Sequence, residues 1–183
     1  MKKLLLITGD LATGKSTFAG LLSHRYGTIV FCKDNIKEIL GDTIGFANRE
    51  ENLRLSRATM EIMTHIFSQI APLGKDLILE ANFRSGELKR LHNIAAENGY
   101  EVLTLVLRGK VETLYKRFMH RIENENRHPV HSCGFDGFES FKNYIEASRD
   151  ERTLGSVIEM LTDDFSYQKS GDLLTKLDIF MGK

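Results

Sequence analysis

Eight residues near the start of the chain do most to restrict its fold. Gly9-Asp10-Leu11-Ala12-Thr13-Gly14-Lys15-Ser16 has the spacing G-x-x-x-x-G-K-[ST]. It lies between an apolar run, Lys2 to Thr8, that reads as a buried strand and a stretch, Lys15 to Tyr26, that reads as a helix closed by Gly27. The two glycines let the backbone curl until successive N–H groups converge on a phosphate chain, and the new helix adds the positive end of its dipole. In that arrangement Lys15 reaches the β- and γ-phosphates, Ser16 offers its hydroxyl to a bridging Mg²⁺, and Thr17 begins the packed part of the helix. A glycine-rich turn that merely joins strand to helix leaves the four fixed positions in this context unexplained. The expected nucleotide-binding stretch is Gly9, Asp10, Leu11, Ala12, Thr13, Gly14, Lys15, Ser16 and Thr17, and the expected ligands are a nucleoside triphosphate, taken as ATP, and Mg²⁺.

Downstream, apolar runs continue to alternate with amphipathic ones. Strands are expected over Thr28 to Cys32, Asp76 to Ala81 and Tyr100 to Leu107. Helices are expected over Asn35 to Leu40, Glu50 to Ala71, Gly86 to Asn98, Val111 to Asn124 and Phe138 to about Ser148. In the last third, Leu154 to Leu161 has helical spacing, Phe165 to Gln168 reads as a short strand, and Asp172 to Phe180 as a closing helix. Strands separated by helices require βαβ crossovers. The fold class is therefore α/β, a three-layer P-loop hydrolase or kinase fold with a mostly parallel sheet. At 183 residues, with no repeat or linker, one domain over 1–183 is expected. Ligands of such sheets bind outside the carboxyl ends of the strands, which directs attention to the residues after Ile7, Cys32, Leu79 and Leu107.

Composition narrows the partners. The 25 basic and 25 acidic residues cancel, so no long-range field favours a polyanion, and a nucleic acid would need a local basic patch. The opening apolar run, Leu4 to Ile7, is far shorter than a membrane span, and Cys32 and Cys133 make no disulfide framework. With no secretory signal at the start, a cytosolic protein without a membrane partner is expected.

Several residues at the expected rim suit phosphoryl transfer. Asp34 follows the second strand, where a carboxylate can take the proton of an attacking hydroxyl; it can also serve as N-cap of the next helix. Lys33 and Lys37 flank it, Lys37 as a candidate acceptor-binding residue. Glu80 ends the run Leu77-Ile78-Leu79, where a carboxylate orients the metal's water shell, so Ser16 and Glu80 form the candidate metal pair. Asn82 and Arg84 follow at the same rim and read either as acceptor contacts or as an ordinary polar loop. Arg117 and Arg121 share a helix face, and Arg127-His128-Pro129 follows, the composition of a helical lid at about 117–137. Such arginines stabilise charge on the transferring group, or else pair with acids such as Glu125 on a solvated helix. His128, His131 and Cys133 lack a second ligand pair at zinc-finger spacing and read as lid residues. Asp42-Thr43-Ile44-Gly45 and Thr175-Lys176-Leu177-Asp178 have the letters of GTPase motifs but sit in helical patterns, which excludes a GTP switch.

These residues resemble the small P-loop kinases that include zeta toxins, chloramphenicol phosphotransferase and the kinase domain of bacteriophage polynucleotide kinase. The likeness spans about residues 2–130. It rests on GDLATGKST (Gly9 to Thr17), CKDNIKEIL (Cys32 to Leu40), LILEANF (Leu77 to Phe83) and RFMHRIENENRHP (Arg117 to Pro129). It implies that Asp34 is the catalytic base, that Lys15 and Ser16 handle phosphate and Mg²⁺, and that Arg117, Arg121 or Arg127 serves as the lid arginine. Lys37 stands where the polynucleotide kinases carry an arginine, and Glu80 replaces the more frequent aspartate. The expectation is an ATP-dependent kinase acting on a hydroxyl of a small molecule. The alternatives are a polynucleotide 5′-hydroxyl kinase and an ATPase or nucleotide sensor that transfers nothing.

Overall fold

A computed structural model describes residues 1–125, 127–131 and 134–183. Its sheet has five parallel strands in the order β2-β3-β1-β4-β5. The strands are β1 (Lys2–Gly9), β2 (Ile29–Cys32), β3 (Leu77–Glu80), β4 (Tyr100–Arg108) and β5 (Ser156–Leu161). The helices are α1 (Lys15–Tyr26), α2 (Lys33–Ile44), α3 (Arg49–Ile70), α4 (Ser85–Glu97), α5 (Val111–Asn124), α6 (Phe138–Arg149) and α7 (Gly171–Met181). Short 3₁₀ turns cover Ala71–Leu73, Pro129–His131 and Phe165–Lys169. Among the described residues no helix is long and apolar enough to cross a membrane.

The period-2 alternation of β1 builds two cores at once. Leu4 and Leu6 join Met63 and Phe67 of α3 and Leu88 and Leu91 of α4 on one face. Leu5 and Ile7 join Phe18 and Leu22 of α1 and Leu173 and Leu177 of α7 on the other. A third cluster, around Phe118 of α5 and Phe141 and Ile145 of α6, also takes in Leu11 and Ala12 of the glycine-rich loop.

Three expectations are corrected. Residues 154–161 do not form a helix: Gly155 has φ +72°, and Ser156–Leu161 pairs parallel with β4, from Leu103↔Ser156 to Arg108↔Leu161. The apolar spacing of Leu154, Val157, Ile158 and Leu161 fits a helix only in projection, while the adjacent β-branched pair favours an edge strand. Phe165–Lys169 is a 3₁₀ helix, started by Asp164, whose side chain accepts the Ser166 N–H. Asp34 is not an N-cap, because α2 begins at Lys33 with Cys32 as the capping residue, which places Asp34 in the first turn. The two GTPase-like strings fall at the end of α2 and within α7.

Candidate active site

The register of the sheet sets the site. Ile7 of β1, Glu80 of β3 and Cys32 of β2 lie in one row at the carboxyl ends of adjacent strands. Two residues beyond that row, the chain enters the glycine-rich loop at Gly9 and the first turn of α2 at Asp34. Gly9 has φ +121°, and a Cβ there would lie 2.0 Å from the Leu107 carbonyl, so no other residue fits. Within the loop, Thr13 Oγ1 donates to the Asp10 carbonyl at 2.9 Å, and Lys15 Nζ donates to the same oxygen at 2.5 Å. After the buried Lys15, Ser16 and Thr17 are exposed, so the apolar packing of α1 begins at Phe18 and not at Thr17.

Ser16 Oγ donates to Glu80 Oε2 at 2.9 Å, which joins the first turn of α1 to the end of β3. Glu80 is 4% exposed. Burial pushes its carboxyl above the usual range, against the pull of Lys15 and the hydrogen bonds from Ser16 and Cys32. Burial likewise draws the Lys15 ammonium below its ordinary value, opposed by Glu80, Asp34 and Asp10 and helped by Arg121. The Cys32 thiol behind Glu80 is pushed up to about 12 by burial, with Glu80 adding to it. A serine hydroxyl beside a buried carboxylate is an all-oxygen donor set of the kind that suits Mg²⁺, which binds through one or two protein oxygens plus phosphates and water. The residues therefore fit the metal the sequence implies.

Of the expected site residues, Lys15, Ser16, Glu80, Asp34 and Arg121 come together, close enough for Asp34 and Arg121 to act on the Lys15 charge. Arg121 also reaches Glu125, at 3.2 Å. The others are placed differently. Arg117 donates to the Thr162 and Asp163 carbonyls at 2.6 and 2.7 Å and stacks 4.2 Å above the Phe165 ring. Arg127 lies 5.7 Å over the Phe118 ring. Lys37 is buried and donates to the Val130 carbonyl at 3.0 Å. Asn82 and Arg84 line a cavity of about 130 Å³ with Thr8, Tyr144, Ser148 and Glu151, and Arg84 lies 3.6 Å from Glu151. His128 and His131 face carboxylates of α2, and Cys133 lies outside the described residues.

Two contributors carry no sequence signal, Arg149 and Tyr167. Asp10, 1% exposed, accepts from Arg149 Nη2 at 2.6 Å, from Arg149 Nε at 3.2 Å and from the Gly109 amide at 3.1 Å. Tyr167 donates to the Thr13 carbonyl at 2.9 Å and packs edge-on against Phe18, buttressing the loop from the α7 side. Their partners lie well over a hundred residues away, beyond the reach of local spacing.

A parallel sheet in this order, with a phosphate-binding loop after its first strand and a buried carboxylate at the end of its third, is the P-loop kinase fold. Residues 1–154 match the family model for Zeta toxin, and the chain belongs to that family. Similar solved structures include a candidate kinase from Chloroflexus aurantiacus, 24% identical with a TM-score of 0.81, covering 96% of each chain. A sugar kinase from Janibacter sp. HTCC2649 is 17% identical with a TM-score of 0.65, over 98% of this chain and 96% of that one. The APS kinase of Mycobacterium tuberculosis, solved with AMPPNP and APS, is 15% identical with a TM-score of 0.59, over 97% and 98%. No curated protein is significantly similar in sequence.

Proposed function

We propose that the chain is an ATP- and Mg²⁺-dependent phosphotransferase that moves the γ-phosphoryl of ATP to a hydroxyl of a small molecule. The observation that carries this reading is the meeting of Lys15, the Ser16–Glu80 pair and Asp34 at the ends of three adjacent strands. Lys15, now folded onto the Asp10 carbonyl, turns to the β- and γ-phosphates, and the loop amides take the remaining phosphate charge. Ser16 and Glu80 would hold the Mg²⁺, which when bound would neutralise charge on the phosphates. Asp34 accepts the acceptor's hydroxyl proton as its oxygen attacks phosphorus, and Arg121 adds positive charge beside the transferring group.

The size of the cavity lined by Asn82 and Arg84 supports a small acceptor. At about 130 Å³ it is smaller than the roughly 300 to 1,000 Å³ of typical ligand pockets. Its lining is polar at Thr8, Asn82, Arg84 and Glu151 and apolar at Phe83 and Leu88. Two of the similar structures, a sugar kinase and an APS kinase, are named for small acceptors.

The test is transfer of label from γ-labelled ATP to pools of sugars, nucleosides, hydroxylated antibiotics and 5′-hydroxyl oligonucleotides, comparing wild type with Asp34→Asn. Label is expected in a small-molecule pool, with a loss of about 10²-fold or more in the variant. Label confined to oligonucleotides would replace the acceptor class. Release of inorganic phosphate alone, equal in both proteins, would replace the kinase by an ATPase.

A further inference from the structure

Residues 127–131 are docked on α2 and α3 by a side chain from each, which converge on one carbonyl. Val130 is fully buried, and its carbonyl accepts from Lys37 Nζ and from Asn52 Nδ2, both at 3.0 Å. Two histidines stand on either side. His128 Nε2 lies 2.9 Å from Asp42 Oδ1, and its Nδ1 accepts the Val130 N–H at 3.2 Å. His131, 9% exposed, sits between two carboxylates of α2, with Nε2 2.7 Å from Glu38 Oε1 and Nδ1 3.9 Å from Asp34 Oδ2.

An ionised carboxylate only accepts, so the Nε2 that faces Glu38 carries a proton in either charge state of the ring. Nδ1 is the nitrogen turned toward Asp34, and a ring protonated at both nitrogens can donate to both carboxylates. Asp34 and Glu38 are four residues apart on one helix face, which lets a single imidazole meet both. Of the neighbouring charges, Lys37 is held by Val130 and Asp42 by His128, while Lys15 and Lys33 also bear on Asp34.

We propose that His131 is a positioning residue for Asp34, delivered by the docked segment and anchored from behind by Glu38. This rests on Asp34 being the proton acceptor of the transfer. Asp34 is half-exposed in the first turn of α2, and the last torsion of an aspartate has only a broad, two-fold preference of its own. An imidazole against one carboxylate oxygen leaves the other to receive the proton of the attacking hydroxyl. Closing the 3.9 Å separation to a hydrogen bond takes about 1 Å of movement. Because the imidazole arrives with the segment, the base is aligned only while the segment is docked.

Two measurements test this on the whole chain. In the first, the side-chain nitrogen resonances of His131 are recorded by ¹⁵N NMR at one pH. They are expected to move in Asp34→Asn and in Glu38→Gln, and to stay in place in Asp172→Asn, an exposed acid on α7. His131 resonances unmoved by Asp34→Asn would overturn the proposal without any knowledge of the acceptor. In the second, ADP formation from ATP and Mg²⁺ with the pooled acceptors is compared in wild type, Asp34→Asn, His131→Ala and the double variant. His131→Ala is expected to lower kcat about ten-fold with the KM for ATP within about two-fold, and to add nothing in the Asp34→Asn background. His131→Gln should recover part of the loss, and Glu38→Gln, which leaves the buried ring intact, should lower kcat in the same direction. Multiplicative losses in the double variant would make His131 merely structural. A wild-type rate for Asp34→Asn would instead remove the base itself, and this inference with it.

Discussion

Asp10 sits in a loop built to attract anions, yet its carboxylate has no access to solvent. It is tolerated because Arg149 takes both of its oxygens, the Gly109 amide takes one, and Arg108 lies 3.6 Å away. Arg149 also donates to the Gly109 carbonyl at 2.6 Å, so one guanidinium ties α6 to the loop and to the turn after β4. Arg149→Ala is expected to destabilise the fold by ~2 kcal/mol, since it strips a buried carboxylate of its main partner. Arg149→Lys should recover little of this, because a lysine lacks the planar fork. Thermal or urea unfolding checks both; a lysine variant as stable as wild type would reduce the pair to simple charge balance. At this scale, legibility follows spacing. Lys15, Ser16 and Glu80 were readable because the chemistry confines them to fixed offsets within or just after a strand. Arg149 was not, because nothing local to α6 marks an arginine whose partner is 139 residues earlier.

Among the elements, α2 departs furthest from what its letters suggest. The apolar spacing from Asn35 to Leu40 marks a helix, but it runs from Lys33 to Ile44 and presents polar side chains to a neighbouring segment. Gly41 is what lets that segment approach, since a Cβ there would lie 2.3 Å from Val130 Cγ1. Gly41→Ala should add up to about 1 kcal/mol of helix propensity to α2 while forcing Val130 out of its seat. The expected outcome is faster trypsin cleavage after Arg127 with α2 intact; an unchanged cleavage rate would mean that the Val130 carbonyl contacts alone hold the segment. The basic run from Arg117 to Pro129 reads as a helical lid, but its letters do not give the direction its side chains take. Arg117 is engaged by two backbone carbonyls after β5, in a stretch where the strand itself was hidden by helix-like spacing.

Across the molecule, the parallel sheet and its helical layers were legible from the alternation of runs, whereas the strand order was not. Adjacency depends on which crossover passes which face, and the contacts that decide it lie far apart in sequence. One such long-range contact joins the two helices on the α1 face. Asp178 of α7 accepts from Arg25 Nε and Nη2 at 2.8 and 2.5 Å and from the Tyr26 hydroxyl at 2.9 Å. The hydrogen bonds from Arg25 lower its carboxyl from 3.8 to about 2. A carboxyl depressed on folding stabilises the protein above its unfolded value, and that contribution fades as pH falls through the folded one. The difference in melting temperature between wild type and Asp178→Asn should therefore hold steady at neutral pH and shrink from about pH 4 downward, disappearing below about pH 2. A difference independent of pH would assign the contact to packing.

The central strand sets the mechanical character of the whole. β1 is bonded along both edges, and Leu4 to Ile7 are sealed from water on both faces. A strand held on four sides has no soft direction, so the phosphate loop hangs from the stiffest part of the chain. Compliance is left to the margins: short β2, exposed β5, and the segment resting on α2. On the kinase reading proposed above, the nucleotide is thus gripped from the rigid centre of the sheet, and adaptation to a new acceptor can proceed at the margins without disturbing that grip.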